Sequence, residues 1–160
     1  MTALPASVPP KGAVELGSWM IEDYHGLRII RAELRRAVGE LGLVGVSAGP
    51  CTSGSGSSAG RPSADDDDDD VAERIAVVAT ELATNALRHG RPPALVRLLR
   101  VTGLLIVDVS DHDPERAPRF DVERPLGQGG LGMLLARTFA VEVGWYRAGA
   151  GKHVWASFPA

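Results

Sequence analysis

The chain of 160 residues contains a single cysteine, Cys51, and no long apolar run. One cysteine cannot form an internal disulfide, and Cys51 lies among Ser and Gly residues away from any His, so the sequence shows neither a disulfide framework nor a Cys/His metal motif. No segment approaches the roughly 18 continuous apolar residues of a membrane span, and the N-terminal residues lack the basic start and apolar stretch of a signal peptide. We therefore expect a soluble, cytoplasmic protein with no membrane partner.

The chain also lacks the excess of positive charge that is typical of nucleic-acid-binding proteins. It has 17 Lys and Arg residues against 20 Asp and Glu residues, which gives a formal net charge of −3. Six of the acidic residues form the run from Asp65 to Asp70, and without them 17 basic residues face 14 acidic ones, a balance of +3. Neither balance indicates a direct nucleic-acid partner.

The length predicts one domain, at residues 13–160, preceded by a flexible N-terminal arm at residues 1–12, which contain three prolines. Leu16 to Ile21 is predicted as a short strand. Tyr24 to Leu41 has apolar residues every three or four positions, which predicts an amphipathic helix. Residues 46–70 consist mainly of Ser, Gly, Ala, Pro and the Asp run. They lack the apolar content that offsets the entropy of ordering, so we predict a disordered insertion there.

The second half of the chain alternates helical and strand patterns. A helix is predicted from Val71 to Arg88, because Gly90, Pro92 and Pro93 follow it as a stop signal. The later elements are predicted as a hairpin of Ala94 to Val101 and Leu104 to Ser110, a loop, a helix from Met133 to Val141, and strands at Val141 to Tyr146 and His153 to Phe158. This order predicts an α/β (α+β) fold, a two-layer sandwich of helices on a mixed, mainly antiparallel sheet.

A polar stripe marks the helix before Gly90. At ~100° per residue, Glu81, Asn85 and His89 share one side of this helix. They border its apolar stripe, which consists of Ile75, Val78, Leu82 and Ala86. Asn85 offers an amide oxygen that suits Mg²⁺, and Glu81 lies one turn earlier, where a carboxylate can accept a proton from an attacking group. The alternative is a helix-surface pair without chemistry, and His89 fits a capping or packing role better than a ligand role.

Asp111 ends an inward-facing strand row. Alternation along the strand puts it on the same face as Leu105, Val107 and Val109. An inward carboxylate can accept a hydrogen bond from an exocyclic amine and so select adenine. The alternative is that Asp111, three residues before Pro114, shapes a turn.

A glycine-rich turn, Gly129-Gly130-Leu131-Gly132, opens the last predicted helix. Such a turn leaves backbone N–H groups free at a helix N-terminus, where anions such as phosphates bind. It is not a Walker loop, because no Lys-Ser/Thr pair follows, and it is not a Rossmann fingerprint, because a long loop precedes it.

These motifs resemble those of a known superfamily, the GHKL (histidine kinase/Hsp90-like) ATPases. Glu81-x-x-x-Asn85-Ala86-x-x-His89-Gly90 resembles the N box, Asp111 with Asp113-Pro114 a degenerate first glycine box, and Gly129-Gly130-Leu131-Gly132-Met133 the second glycine box. The pattern is most similar to small bacterial anti-sigma-factor serine/threonine kinases. The terminal Gly151-Lys152-His153-Val154-Trp155 also resembles the last strand of small ATP-binding proteins of that branch. The resemblance covers residues 16–159, apart from the insertion.

The resemblance implies a Bergerat-type ATP-binding fold with ATP and Mg²⁺ as cofactors. It assigns Mg²⁺ to Asn85, the general base to Glu81 and the adenine amine to Asp111, and it places residues 129–132 at the phosphates. It also implies an anti-sigma-like kinase that transfers the γ-phosphate to an anti-anti-sigma-like partner, binds a sigma factor in alternation, and forms a homodimer.

Two departures from the family pattern favour an alternative. His112, Asp113 and Pro114 stand where the first glycine box carries a glycine, and Gln128 stands where some kinases of the branch carry an Arg that reaches the terminal phosphate. The alternative is a nucleotide-dependent protein-binding module with little or no kinase activity. The catalytic part of a histidine kinase fits poorly, since no His-Glu-x-x-x-Pro dimerisation helix precedes the N-box helix.

Overall fold

The computed structural model describes residues 2–44, 64–115, 118–120, 136 and 138–160. Within these ranges, the chain forms two long helices and seven strands. The helices are α1 (His25–Val44) and α2 (Ala64–His89). The strands are β1 (Thr2–Ala3), β2 (Val14–Ile21), β3 (Ala94–Val101), β4 (Leu104–Asp111), β5 (Arg119–Phe120), β6 (Glu142–Ala148) and β7 (Gly151–Pro159).

Five of the strands form one sheet in the order β2-β3-β4-β7-β6. Each of its ladders is antiparallel, and Ala6 adds an isolated parallel bridge to Trp145. β1 and β5 form a separate two-stranded pair. Helices α1 and α2 lie on one face of the large sheet, so the predicted α+β sandwich is confirmed.

The main core lies between this sheet and the helices. Helix α1 contributes Ile30, Leu34 and Val38, the apolar positions spaced by four residues. Helix α2 contributes a longer stripe, whose buried members are Ala72, Ile75, Val78, Ala79, Leu82, Ala83 and Ala86. The apolar periodicity of both segments therefore forms the helices and also directs them onto the sheet.

Helix α2 begins seven residues before its predicted start at Val71. Its first turns contain the acidic run from Asp65 to Asp70, so residues 64–70, which the sequence assigns to the end of the disordered insertion, are helical. Negative charge is favourable at a helix N-terminus. Asp70 also forms an i,i+4 ion pair with Arg74, at 2.7 Å. The rest of the predicted insertion, residues 46–63, lies outside the described residues.

The N-terminal segment contacts the sheet at its β6 edge. The Ser7 N–H donates to the Trp145 carbonyl at 2.9 Å, and the Trp145 N–H donates to the Pro5 carbonyl at 3.2 Å. The chain then reaches β2, at the opposite edge, and Ala13 packs against a second apolar cluster on the sheet face away from the helices. That cluster consists of Leu99, Ile106 and Trp155. The flexibility of residues 1–12 stays a prediction, but these contacts assign the segment a position.

Candidate functional site

The polar stripe of α2 lies at the edge of the core. Glu81 and Asn85 are both half-buried, one helical turn apart, while the neighbouring Leu82 and Ala86 are buried. His89, at the end of the helix, is exposed. The helical spacing therefore puts a carboxylate and a carboxamide side by side where the core meets solvent.

Asp111 lies at the end of β4 and is 6% exposed. It follows Leu105, Val107 and Val109 on the helix-facing side, as the alternation of the strand predicts. Its Oδ1 accepts a hydrogen bond from the Asp113 N–H at 2.8 Å. Its Oδ2 lies 3.2 Å from the ammonium of Lys152 on β7. The Asp111 side chain both shapes the turn after β4 and forms a buried ion pair.

Gly90 brings Asp111 against the end of α2. A Cβ built on Gly90 would overlap Asp111 Oδ2, lie 2.5 Å from Asp111 Cγ and lie 2.7 Å from the Ala86 carbonyl oxygen. Carbon atoms without a bond between them normally stay about 3.5 Å or more apart, so only glycine fits here. The strand-end carboxylate thus lies directly beyond the helix that carries Glu81 and Asn85.

The chain after α2 is hydrogen-bonded to the chain after β4. The His112 N–H donates to the Arg91 carbonyl at 3.1 Å, and His112 Nδ1 lies 3.1 Å from the Pro93 carbonyl oxygen. Lys152 Nζ donates to the Asp113 carbonyl at 3.2 Å. These contacts hold residues 111–113 against the connection between α2 and β3 and against β7.

The predicted phosphate turn, Gly129, Gly130, Leu131 and Gly132, lies outside the described residues, as does Gln128. Downstream, Ala136, Thr138 and Phe139 are helical, and the Ala140 N–H donates to the Ala136 carbonyl at 2.9 Å. Ala136 is buried in the main core. Helical structure is therefore present within the segment that the sequence predicts as the last helix.

Lys152 is the site residue that the sequence reasoning missed. It is 6% exposed and lies directly opposite Asp111 in the β4–β7 ladder. The signal was present in the sequence, because alternation along the last strand puts Lys152 on the same face as the core residues Ala156 and Phe158. A lysine that begins an apolar row needs an anionic partner.

A second buried carboxylate lies on the other face of the sheet. Asp108 is 0% exposed and accepts a hydrogen bond from the Tyr146 hydroxyl at 2.8 Å. Its Oδ1 lies 2.8 Å from His153 Nδ1 and 3.3 Å from Arg97 Nη2. The rings of Tyr146 and His153 stack with their centroids 4.6 Å apart. Burial, and then the charge of Asp108, raises the pKa of Tyr146 well above its ordinary value of 10.0.

No cluster of three or more His, Cys, Asp or Glu side chains within the described ranges could hold a metal ion. The amide oxygen of Asn85 is a ligand of the kind that Mg²⁺ prefers, and proteins usually bind this ion through few side chains together with phosphates and water. Within the same ranges, no helix is long and apolar enough to cross a membrane.

The profile of one protein family, described as the histidine kinase-like ATPase domain, matches residues 63–158. The match covers more than half of the chain, and the chain belongs to this family. Membership implies that the protein binds ATP, and the α+β fold is consistent with such a domain. A comparison with curated proteins found no match.

Proposed function

We propose that the protein is a cytoplasmic, ATP-dependent regulator that transfers the γ-phosphate of ATP to a Ser or Thr of a partner protein. One observation carries the proposal: the Asp111 carboxylate lies against Gly90, at the end of the helix that carries Glu81 and Asn85. Adjoining elements of an ATPase-family domain thus provide the Asp111 carboxylate for the adenine ring and the side-chain oxygens of Glu81 and Asn85 for the phosphates.

Asp111 binds the exocyclic amine of adenine in this proposal. An ionised carboxylate has about four lone-pair sites, of which Asp113 and Lys152 occupy two. The carboxylate therefore keeps the capacity to accept from a ligand, and its burial strengthens that hydrogen bond.

Asn85 and Glu81 serve the phosphate end of the nucleotide. Asn85 contributes its amide oxygen to the Mg²⁺ that accompanies ATP. Glu81 accepts the proton of the Ser or Thr hydroxyl. The hydroxyl oxygen forms a bond to the γ-phosphorus as the bond between this phosphorus and the departing ADP breaks. The phosphate-binding role that the family resemblance implies for residues 129–132, which lie outside the described residues, completes the proposal. Phosphoryl transfer of this kind depends mainly on positioning and on charge neutralisation.

The partner in this proposal is an anti-anti-sigma-like substrate, with a sigma factor as the alternating partner and a homodimer as the functional unit. The support is the resemblance of the Glu81–Gly90 segment and the 129–133 turn to the anti-sigma kinase branch, together with the family membership. ATP occupancy then selects between two protein partners, and phosphorylation of one of them resets the choice.

Calorimetric titration tests the nucleotide site. We expect ATP to bind with Mg²⁺ more tightly than without it, and more tightly than GTP. Binding of neither nucleotide would refute the site, and equal binding of ATP and GTP would remove the adenine role of Asp111. An Asn85→Ala variant should lose the magnesium-dependent part of the affinity and keep the remainder.

The kinase step is tested with Glu81→Gln. This variant should bind Mg-ATP as the wild type does and transfer labelled phosphate to a candidate partner about 10²–10⁴-fold more slowly, the usual contribution of a general base. Glu73→Gln is the matched control on the same helix, because Glu73 pairs with Arg31, at 2.5 Å, and with Arg35 on the outer side of the helices. Transfer by Glu81→Gln at the wild-type rate would exclude Glu81 as the base.

The closely held loop after β4 favours a second candidate, a nucleotide-dependent binding module without transfer. Residues 111–113 are hydrogen-bonded to the connection between α2 and β3 and to β7, an arrangement that suits recognition of a base and supplies no cation to the γ-phosphate. This candidate predicts partner binding that changes with ATP and no labelled phosphate on the partner. Label on a Ser or Thr of the partner would exclude it.

A further inference from the structure

The contacts of Lys152 form a closed arrangement around the end of β4. Its ammonium lies 3.2 Å from Asp111 Oδ2 and donates to the Asp113 carbonyl at 3.2 Å. The Asp113 N–H donates in turn to Asp111 Oδ1 at 2.8 Å. The ammonium, the carboxylate and one peptide backbone thus hold each other in place, and both charged side chains are less than one-tenth exposed.

A buried ammonium is costly unless it is paired and hydrogen-bonded, and Asp111 and the Asp113 carbonyl are the partners here. The other helix-facing residues of β7 are apolar: Ala156 and Phe158 belong to the main core, and Val154 packs against it. An apolar residue at position 152 would continue this row without the cost of removing a charge from water. The presence of Lys152 at this position is therefore explained by its ion pair with Asp111 and not by packing in the core.

We infer that Lys152 is the positioning residue that gives the site its preference for adenine, because its cation fixes the Asp111 carboxylate as a hydrogen-bond acceptor. A buried carboxylate without a cation favours its protonated form, in which one oxygen becomes a donor. A donor facing the amine of adenine repels it, whereas a donor facing the carbonyl of guanine attracts it. Loss of Lys152 thus changes which base the site prefers.

This inference rests on the proposed role of Asp111, and the measurement is the ratio of the dissociation constants for GTP and ATP. A structural defect that unfolds part of the sample lowers the active fraction for both nucleotides and leaves the ratio unchanged. Loss of the positioned carboxylate changes the ratio. We expect Lys152→Met to reduce the preference for ATP at least tenfold.

Two further variants accompany Lys152→Met. Lys152→Arg keeps the cation and should restore most of the ATP preference. Arg147→Met is the matched control, because Arg147 is the ladder partner of Lys152 on β6 but is exposed, and its guanidinium lies over the Trp145 ring at 5.3 Å. This control should keep the wild-type preference.

The outcomes separate the inference from the proposed function. If the wild type binds neither nucleotide, or binds both equally, the proposed role of Asp111 fails and the inference fails with it. If the wild type prefers ATP and Lys152→Met keeps that preference, only the inference fails. If Lys152→Met does not fold, Lys152→Arg and Lys152→Gln provide the comparison: full preference in Gln, which keeps the length but not the charge, overturns the inference.

Discussion

Replacement of Gly90 by alanine tests the contact between α2 and the end of β4. The added Cβ would overlap Asp111 Oδ2 and lie 2.5 Å from Asp111 Cγ, so the carboxylate must move by about 1 Å to reach an ordinary contact distance. This movement disturbs the ion pair with Lys152 and the hydrogen bond from Asp113. Overpacking costs about 1–3 kcal/mol, and a broken buried ion pair costs about 3–5 kcal/mol. Because the ion pair is stretched and not removed, we expect a total loss of about 2–4 kcal/mol.

Gly39→Ala is the matched control for this substitution. Gly39 lies within α1, is exposed, and has no atom within 4 Å of a built Cβ. Alanine in the interior of a helix is favoured over glycine by about 0.5–1 kcal/mol, so this variant should be more stable than the wild type. The same chemical change thus has opposite expected signs at two positions of one chain.

Urea denaturation followed by tryptophan fluorescence measures both changes, since the chain has three tryptophans. We expect the midpoint to fall for Gly90→Ala and to rise for Gly39→Ala. If Gly90→Ala changes the free energy of unfolding by less than about 0.5 kcal/mol, the size of an ordinary surface substitution, then Asp111 does not lie against Gly90. The proposed arrangement of the site would then be wrong as well.

Two further substitutions test the other face of the sheet and the N-terminal segment. Tyr146→Phe removes a hydrogen bond to the buried Asp108 carboxylate and should cost about 1.5–3 kcal/mol in urea denaturation. Because the pKa of Tyr146 is raised in the folded protein, its contribution to the free energy of unfolding is fully present below pH 10.0 and is lost as the pH rises further. The stabilities of wild type and variant should therefore converge above pH 10.0. A difference that stays constant with pH would contradict a contribution from the Tyr146 hydroxyl. Leu4→Ala should cost about 2–5 kcal/mol, because Leu4 is 4% exposed in the main core, and a loss near zero would mean that the segment is flexible, as its prolines predict.

The sequence was sufficient to predict the two described elements that carry candidate site residues, α2 and β4. Periodicity alone places Glu81 and Asn85 on one side of α2, and alternation places Asp111 at the inner end of β4. Both are local properties of a single element. The acidic run was less predictable, because adjacent like charges disfavour a helix while a helix N-terminus favours them, and only the structure shows which effect is larger.

The surroundings of Asp108 could not be predicted from its own strand. On β4, its position reads as the solvent side of a sheet with one face covered by helices. It is buried because three other strands supply Arg97, Tyr146 and His153, and the N-terminal segment contacts the same face. Those partners lie 11 to 45 positions away in sequence. Their convergence depends on the strand order, which local patterns do not contain.

The two buried carboxylates of β4 together specify how β4 pairs with β7. Lys152 and His153 are consecutive on β7 and point to opposite faces, and each contacts a different carboxylate, Asp111 on the helix side and Asp108 on the other. A slip of one residue would move His153 away from Asp108, and it would separate Lys152 from Asp111 and leave both of these buried charges unpaired, in addition to exposing the apolar row. Each unpaired buried charge costs several kcal/mol, so the cost of such a slip is a large fraction of the free energy of unfolding of a domain of this size. The Asp111–Lys152 pair therefore also contributes to strand register, which is why nucleotide preference, and not stability, is the measurement that isolates its role in the site.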